Sequence, residues 1–298
     1  MTPRSDPFHF IRARSVGAVV GLCILALVAP YRAAESWLGE TLTPTLVELG
    51  VYALAGGVLA FLCRRSGLDL SRLFGPVPGA REALRTAALA VPMLALSVAG
   101  FWLLYWPLSF LAPGFVSAWA LAPVPLLVEV GGRHPLLPNV LVFGVTCLAV
   151  PLFEEFVFRG LLLHRWAVRW NVRRSVVLTS LLFGLGHVDL IGGAAFGLVA
   201  AVLYIETRSL YHPLLLHAAN NVLAFAATVA ETSVLGTEPR MDVATLRELW
   251  WVGALGLAIG GPWTVRFLRA HWRPEAWTLP HAAGTLAPAK PLGHAPGP

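Results

Sequence analysis

Ionisable and amide side chains stand where this sequence is otherwise apolar, and their types suit hydrolysis of an amide bond. In Phe153-Glu154-Glu155-Phe156-Val157-Phe158-Arg159, Glu155 and Arg159 are four residues apart. On a helix they share a face and can pair. Glu154 is turned about 100° from Glu155 and is left without that partner. It reads either as a general base or acid or as a cap or ion-pair partner for another helix. The stretch Phe183-Gly184-Leu185-Gly186-His187 puts His187 on the Phe183 face, beside two glycines that allow close helix packing. His187 reads as a catalyst or as a hydrogen-bonded structural residue. In His217-Ala218-Ala219-Asn220-Asn221, His217 and Asn221 are one turn apart. Asn220 is about 60° off that face, and spacing does not exclude it. Interhelical hydrogen bonding is the other reading of this cluster. Together the clusters supply Glu, His, His and Asn. A glutamate beside a histidine can deprotonate water, and a second histidine and an amide can hydrogen-bond the oxyanion formed on the carbonyl. No Ser or Cys nucleophile is needed. The zinc signature His-Glu-x-x-His is absent from the sequence. Glu154, His187 and His217 are nevertheless a ligand trio able to hold a zinc.

These residues must be positioned by membrane helices. The 298 residues are 57% hydrophobic and 13% charged, with a mean hydropathy of +0.70. Soluble domains are nearer ~45–50% apolar and ~25% charged, so a soluble enzyme is excluded, as is disorder over most of the chain. The fold class predicted is an all-α polytopic membrane protein. Apolar stretches near 20 residues mark the spans, at about 15–30, 46–63, 86–106, 137–158, 175–192, 193–207, 210–230 and 249–265. The pair Gly192-Gly193 separates the fifth from the sixth, which read as short, tilted or partly re-entrant. The first segment resembles a signal peptide in outline, but further spans follow at once and it reads as a retained helix. Spans four to seven hold Glu154, Glu155, Arg159, His187, Asp189, Glu206 and His217, and the first three hold almost no ionisable residue. Intramembrane charge is costly and usually functional, so these four are the expected catalytic core. Asp189 and Glu206 are expected to line the cavity mouth or pair with neighbours.

Basic residues cluster at the N-terminus, at Arg64–Arg85, at Arg165–Arg174, at Arg208 and beyond Arg266. The intervening loops are acidic. Both termini are therefore expected in the cytoplasm, and the net charge of +6 reflects this bias rather than nucleic-acid binding. Cys23, Cys63 and Cys147 lie in apolar runs, and no disulfide framework is expected. The expected organisation is residues 1–136 as N-terminal spans and outer loop, 137–230 as catalytic core, 231–273 as outer loop and last span, and 274–298 as a disordered tail. The proline-rich segment from Pro107 to Pro138 suggests an interfacial lid or a loop on the outer face.

The ordered motifs Glu-Glu-x-x-x-Arg (Glu154, Glu155, Arg159), Phe-x-x-x-His (Phe183, His187) and His-x-x-x-Asn (His217, Asn221) resemble those of the CAAX prenyl endopeptidase type II and bacteriocin-processing family, the CPBP or Abi intramembrane proteases. The run Thr207-Arg208-Ser209-Leu210-Tyr211-His212-Pro213 also resembles the stretch before the family's last motif, where Gly commonly replaces Arg208 and Trp replaces Tyr211. The resemblance covers about residues 138–230. It implies that Glu154 activates water with His187 beside it, that His217 and Asn221 form the oxyanion site, and that Glu155 and Arg159 are a structural pair. It favours a metal-free glutamate mechanism, with zinc as the alternative. The Ala-, Leu-, Arg- and Gly-rich composition suggests a bacterial inner membrane, where the partners would be the lipid bilayer and a membrane-associated peptide or protein substrate. The competing readings are a non-catalytic immunity or scaffold protein and a proton-coupled transporter.

Overall fold

The computed structural model describes residues 8, 12–28, 31–122, 127–130, 132–235 and 241–280. Among these the chain is helical, with no strand beyond one isolated bridge between Val130 and Arg133. The helices are α1 (Ala13–Val28), α2 (Tyr31–Arg65), α3 (Leu70–Phe74), α4 (Ala80–Ala88), α5 (Ala90–Leu111), α6 (Leu136–Arg169), α7 (Val172–Leu185), α8 (Leu190–Thr207), α9 (Tyr211–Leu235), α10 (Val243–Glu248) and α11 (Trp250–His271). Among the described residues five stretches are long and apolar enough to cross a bilayer: Leu42–Arg65, Ala80–Leu111, Leu136–Arg169, Leu190–Thr207 and Tyr211–Val234. The protein is thus an all-α polytopic membrane protein. The other three expected spans form as helices but miss those criteria. Helix α1 has 16 residues and α7 has 14, and α7 reaches only about 21 Å at 1.5 Å per residue. Helix α11 has 22 residues and is rich in glycine and tryptophan.

Helix α6 is not a uniform α-helix. Its α-helical stretches alternate with π turns at Val145–Ala149 and Phe156–Leu162, and the turn carrying Glu154 and Glu155 lies between them. Pro151 has no N–H and its ring crowds the carbonyl four residues back, so the turn before it cannot close as an α-helix. π turns of this kind recur at functional sites. The expected end at residue 158 is overrun. The helix continues to Arg169, and Arg159 lies well inside it.

The break expected at Gly192-Gly193 falls earlier. Helix α7 stops at Leu185, residues 186–189 form a turn, and Asp189 caps α8 by accepting the Gly192 N–H at 2.9 Å. Gly192 and Gly193 sit inside α8, where they permit close approach. A Cβ on Gly193 would lie 3.1 Å from the Gly184 Cα, and one on Gly197 would lie 2.8 Å from the Ser180 Cα. The α7–α8 pair is therefore packed backbone to backbone. Around it Phe183, Phe196, Val199, Ala200, Leu203 and Leu216 form one buried cluster.

The C-terminal boundary also moves. Trp277 and Leu279 are buried against Leu163, Val176, Ala201 and Tyr204, because these large apolar side chains fold back onto the helix ends. The expected tail from 274 is thus ordered to residue 280, and 281–298 lie outside the described residues. In the segment expected as a lid, α5 runs on to Leu111 and Val116 packs with Tyr105 and Leu246. Residues 123–126 and 131 of that segment are outside the described set.

Candidate active site

Helix α6 brings Glu154 and Glu155 to the interior, the turn after α7 brings His187, and α9 brings His217 and Asn221. Glu155 and Arg159 are both buried, and an Arg159 guanidinium nitrogen donates to Glu155 Oε1 at 2.8 Å. A second guanidinium nitrogen donates to the Gly197 carbonyl at 3.3 Å. The guanidinium also lies 4.4 Å from the Phe183 ring centroid. Glu155 is thus committed to the frame, as the i, i+4 spacing predicts.

The two histidines share one logic. His217 Nδ1 is 2.9 Å from Glu155 Oε1. With Glu155 ionised against Arg159, its oxygens only accept, so Nδ1 carries the proton. His187 Nδ1 is 2.7 Å from the Phe183 carbonyl, also acceptor-only, and must donate there. Both rings therefore turn Nε2 toward the remaining carboxylate. Each Nε2 is 3.9 Å from Glu154 Oε2. That is too long for a direct hydrogen bond and wide enough for one water oxygen to touch both groups. Glu154 Oε2 is itself buried without a hydrogen-bond partner. The Glu154 side chain is 21% exposed and that of His187 37%, against 5% for His217. The pocket opens on the Glu154–His187 side.

Phe183 organises the site more than its spacing suggests. Its ring stacks on His187 at 4.4 Å between centroids and meets His217 edge-on at 5.7 Å. Phe196, which the motifs did not single out, meets His217 at 5.1 Å. Asn221 lies one turn beyond His217, and its amide donates to the Thr146 carbonyl at 2.9 Å. It is thereby fixed to the first π turn of α6, with one N–H still to give. Nothing in the sequence marked Thr146, since its backbone does the work. Asn220 Oδ1 is buried without a partner. Asp189 and Glu206 pair with neighbours: Asp189 caps α8, and Glu206 Oε2 is 3.9 Å from His271 Nδ1.

The donor types of Glu154, His187 and His217 suit zinc, and histidine rings anchored through Nδ1 are the usual orientation for metal ligands. As placed, however, no group of three His, Cys, Asp or Glu among the described residues is arranged to hold a metal ion.

An apolar cavity of about 370 Å³ opens between α2 and α6. It is lined by Tyr52, Gly56, Gly57, Ala60, Phe153 and Phe156, among others. Tyr52 rests its ring against that of Phe153, the residue before Glu154, at 5.2 Å between centroids. The cavity thus starts next to the site and runs along α2.

Residues 136–223 carry a domain that matches the family model described as Type II CAAX prenyl endopeptidase Rce1-like. The match runs from the start of α6 to just past Asn221 and contains every residue of the site. No curated protein and no solved structure matches the chain.

Proposed function

We propose that this membrane protein, with its Type II CAAX prenyl endopeptidase Rce1-like domain at 136–223, is an intramembrane endopeptidase that uses Glu154 to activate water. The observation that carries the reading is the convergence of two imidazole Nε2 atoms on one buried, unpartnered Glu154 oxygen, each at 3.9 Å. A water held between Glu154 Oε2 and His187 Nε2 gives its proton to Glu154 as its oxygen attacks the scissile carbonyl. Negative charge then builds on the carbonyl oxygen. His217, with Glu155 on its Nδ1–H, can carry a second proton on Nε2 and donate it as a hydrogen bond to that oxyanion. The free N–H of Asn221 is the second donor. Glu154 then passes its proton to the departing amine as the C–N bond breaks, and is restored as a carboxylate.

The substrate in this reading is a membrane-associated protein or peptide. Its apolar part lies in the cavity between α2 and α6, and its scissile bond stands at Glu154. The charge distribution supports placing both termini in the cytoplasm, and the Ala-, Leu-, Arg- and Gly-rich composition supports a bacterial inner membrane, where C-terminal processing or maturation would be the task. A peptide-binding scaffold has no need of a carboxylate framed by two oriented imidazoles; a proton-coupled carrier would use the same groups as a relay and would show no cleavage.

The test is cleavage of a C-terminal membrane segment by purified protein, with and without a chelator, beside Glu154→Ala. Activity that resists the chelator and vanishes in the variant supports the metal-free reading. Loss with chelator assigns Glu154, His187 and His217 to a zinc. Cleavage by the variant at the wild-type rate removes Glu154 as the base.

A further inference from the structure

His187 stands on the turn 186–189, outside regular helix and 37% exposed. Such a turn between two glycine-packed helices needs something to hold it if the imidazole is to keep one position. Helix α5, which lies outside the 136–223 match, supplies that hold in two ways. The Tyr105 hydroxyl donates to the Val188 carbonyl at 2.9 Å, from a side chain that is 4% exposed. One turn and more before it, Gly100 lets α5 approach the same segment. A Cβ on Gly100 would sit against the Gly192 backbone nitrogen and 2.7 Å from Asp189 Oδ1, the oxygen that caps α8. Tyr105 is in turn braced by Phe101 at 4.9 Å and by Val116 and Leu246.

We propose that Tyr105 is a positioning residue for His187: its hydroxyl pins the Val188 carbonyl, and through that peptide unit it fixes where His187 Nε2 stands relative to Glu154. The inference rests on the hydrolytic reading above. A tyrosine whose only work was packing would be replaced by phenylalanine without consequence. A positioning tyrosine would not, because the Val188 carbonyl then keeps only the local Leu190 N–H, at 3.0 Å, and the turn loses its tie to α5. A misplacement near 1 Å costs up to about a hundredfold in rate.

The test compares wild type, Tyr105→Phe and Gly100→Ala by two readouts. The first is amide hydrogen exchange at residues 187–193. The second is the split of cleavage into kcat and KM. Faster exchange confined to 187–193, with kcat down about ten- to a hundredfold and KM unchanged, is the expected result for Tyr105→Phe. Gly100→Ala sets a Cβ against the Gly192 backbone as well as the Asp189 cap, and is expected to speed exchange through the start of α8 and to lower kcat further than Tyr105→Phe does. Unchanged exchange in Tyr105→Phe overturns the proposal whatever the activity. Faster exchange with unchanged kcat overturns it as well. Glu154→Gln separates the two claims: if it cleaves as wild type does, the hydrolytic reading fails, while the exchange result still reports on the Tyr105 contact.

Discussion

At the residue scale the buried pair Glu155–Arg159 shows how much spacing alone can reveal. Two residues four apart in an apolar run were readable as a pair, and they meet at 2.8 Å with both side chains 1% exposed. Removing one partner of a buried pair leaves the other charge without compensation, at a cost of about 3–5 kcal/mol. Arg159→Met is therefore expected to lower the thermal midpoint sharply in detergent, and to do so with or without substrate. Glu154, which has no such partner, is expected to tolerate Gln with little change in that midpoint. The tautomers were not legible in the sequence. They follow from acceptors supplied by tertiary structure, the Phe183 carbonyl for His187 and the Glu155 carboxylate for His217. Asn221 was readable as a polar residue on the His217 face, but its tie to the Thr146 backbone was not.

At the scale of elements, hydropathy located the helices and misplaced their breaks. It cannot see that Gly192 and Gly193 serve packing inside α8, or that the chain turns at 186–189. Nor does it report the two π turns, of which the one before Pro151 depends on a missing N–H rather than on polarity. One departure from the resembled family pattern does acquire a physical reason. Arg208, where that pattern commonly has Gly, follows α8 in the left-handed conformation, at φ 53°. That conformation costs a residue with a Cβ roughly 1–2 kcal/mol. Arg208→Gly is expected to remove that strain, worth roughly 1 kcal/mol, and its net effect is this gain less the Arg208 side-chain interactions, the 3.4 Å contact to Thr278 among them. Arg208→Val is expected to lower stability. Denaturant or thermal midpoints place the Gly variant above the Val variant if the conformation is the cause.

At the scale of the whole molecule the N-terminal helices are part of the site's support, a role that the scarcity of ionisable residues in them suggested without showing the contacts. Tyr204 of α8 donates to the Leu73 carbonyl, Thr86 meets His212 at 2.7 Å, and Tyr105 holds Val188. All three bonds cross from outside 136–223 to inside it. A fragment of residues 136–230 is thus expected to be poorly folded in detergent, by circular dichroism and by proteolysis, where the full chain is protected. Helix α2 also supplies one wall of the apolar cavity. A Cβ on Gly57 meets nothing within 4 Å, so a side chain there starts from open space on the cavity wall. Gly57→Leu is expected to raise KM for substrates with bulky apolar groups and to leave the thermal midpoint intact. The most direct test of the central claim is the single-turnover cleavage rate of a membrane-segment substrate by wild type and Glu154→Gln, each shown to be folded. The account predicts a loss of about 10²- to 10⁴-fold, the usual contribution of a general base. A folded Glu154→Gln protein that cleaves at the wild-type rate would contradict it.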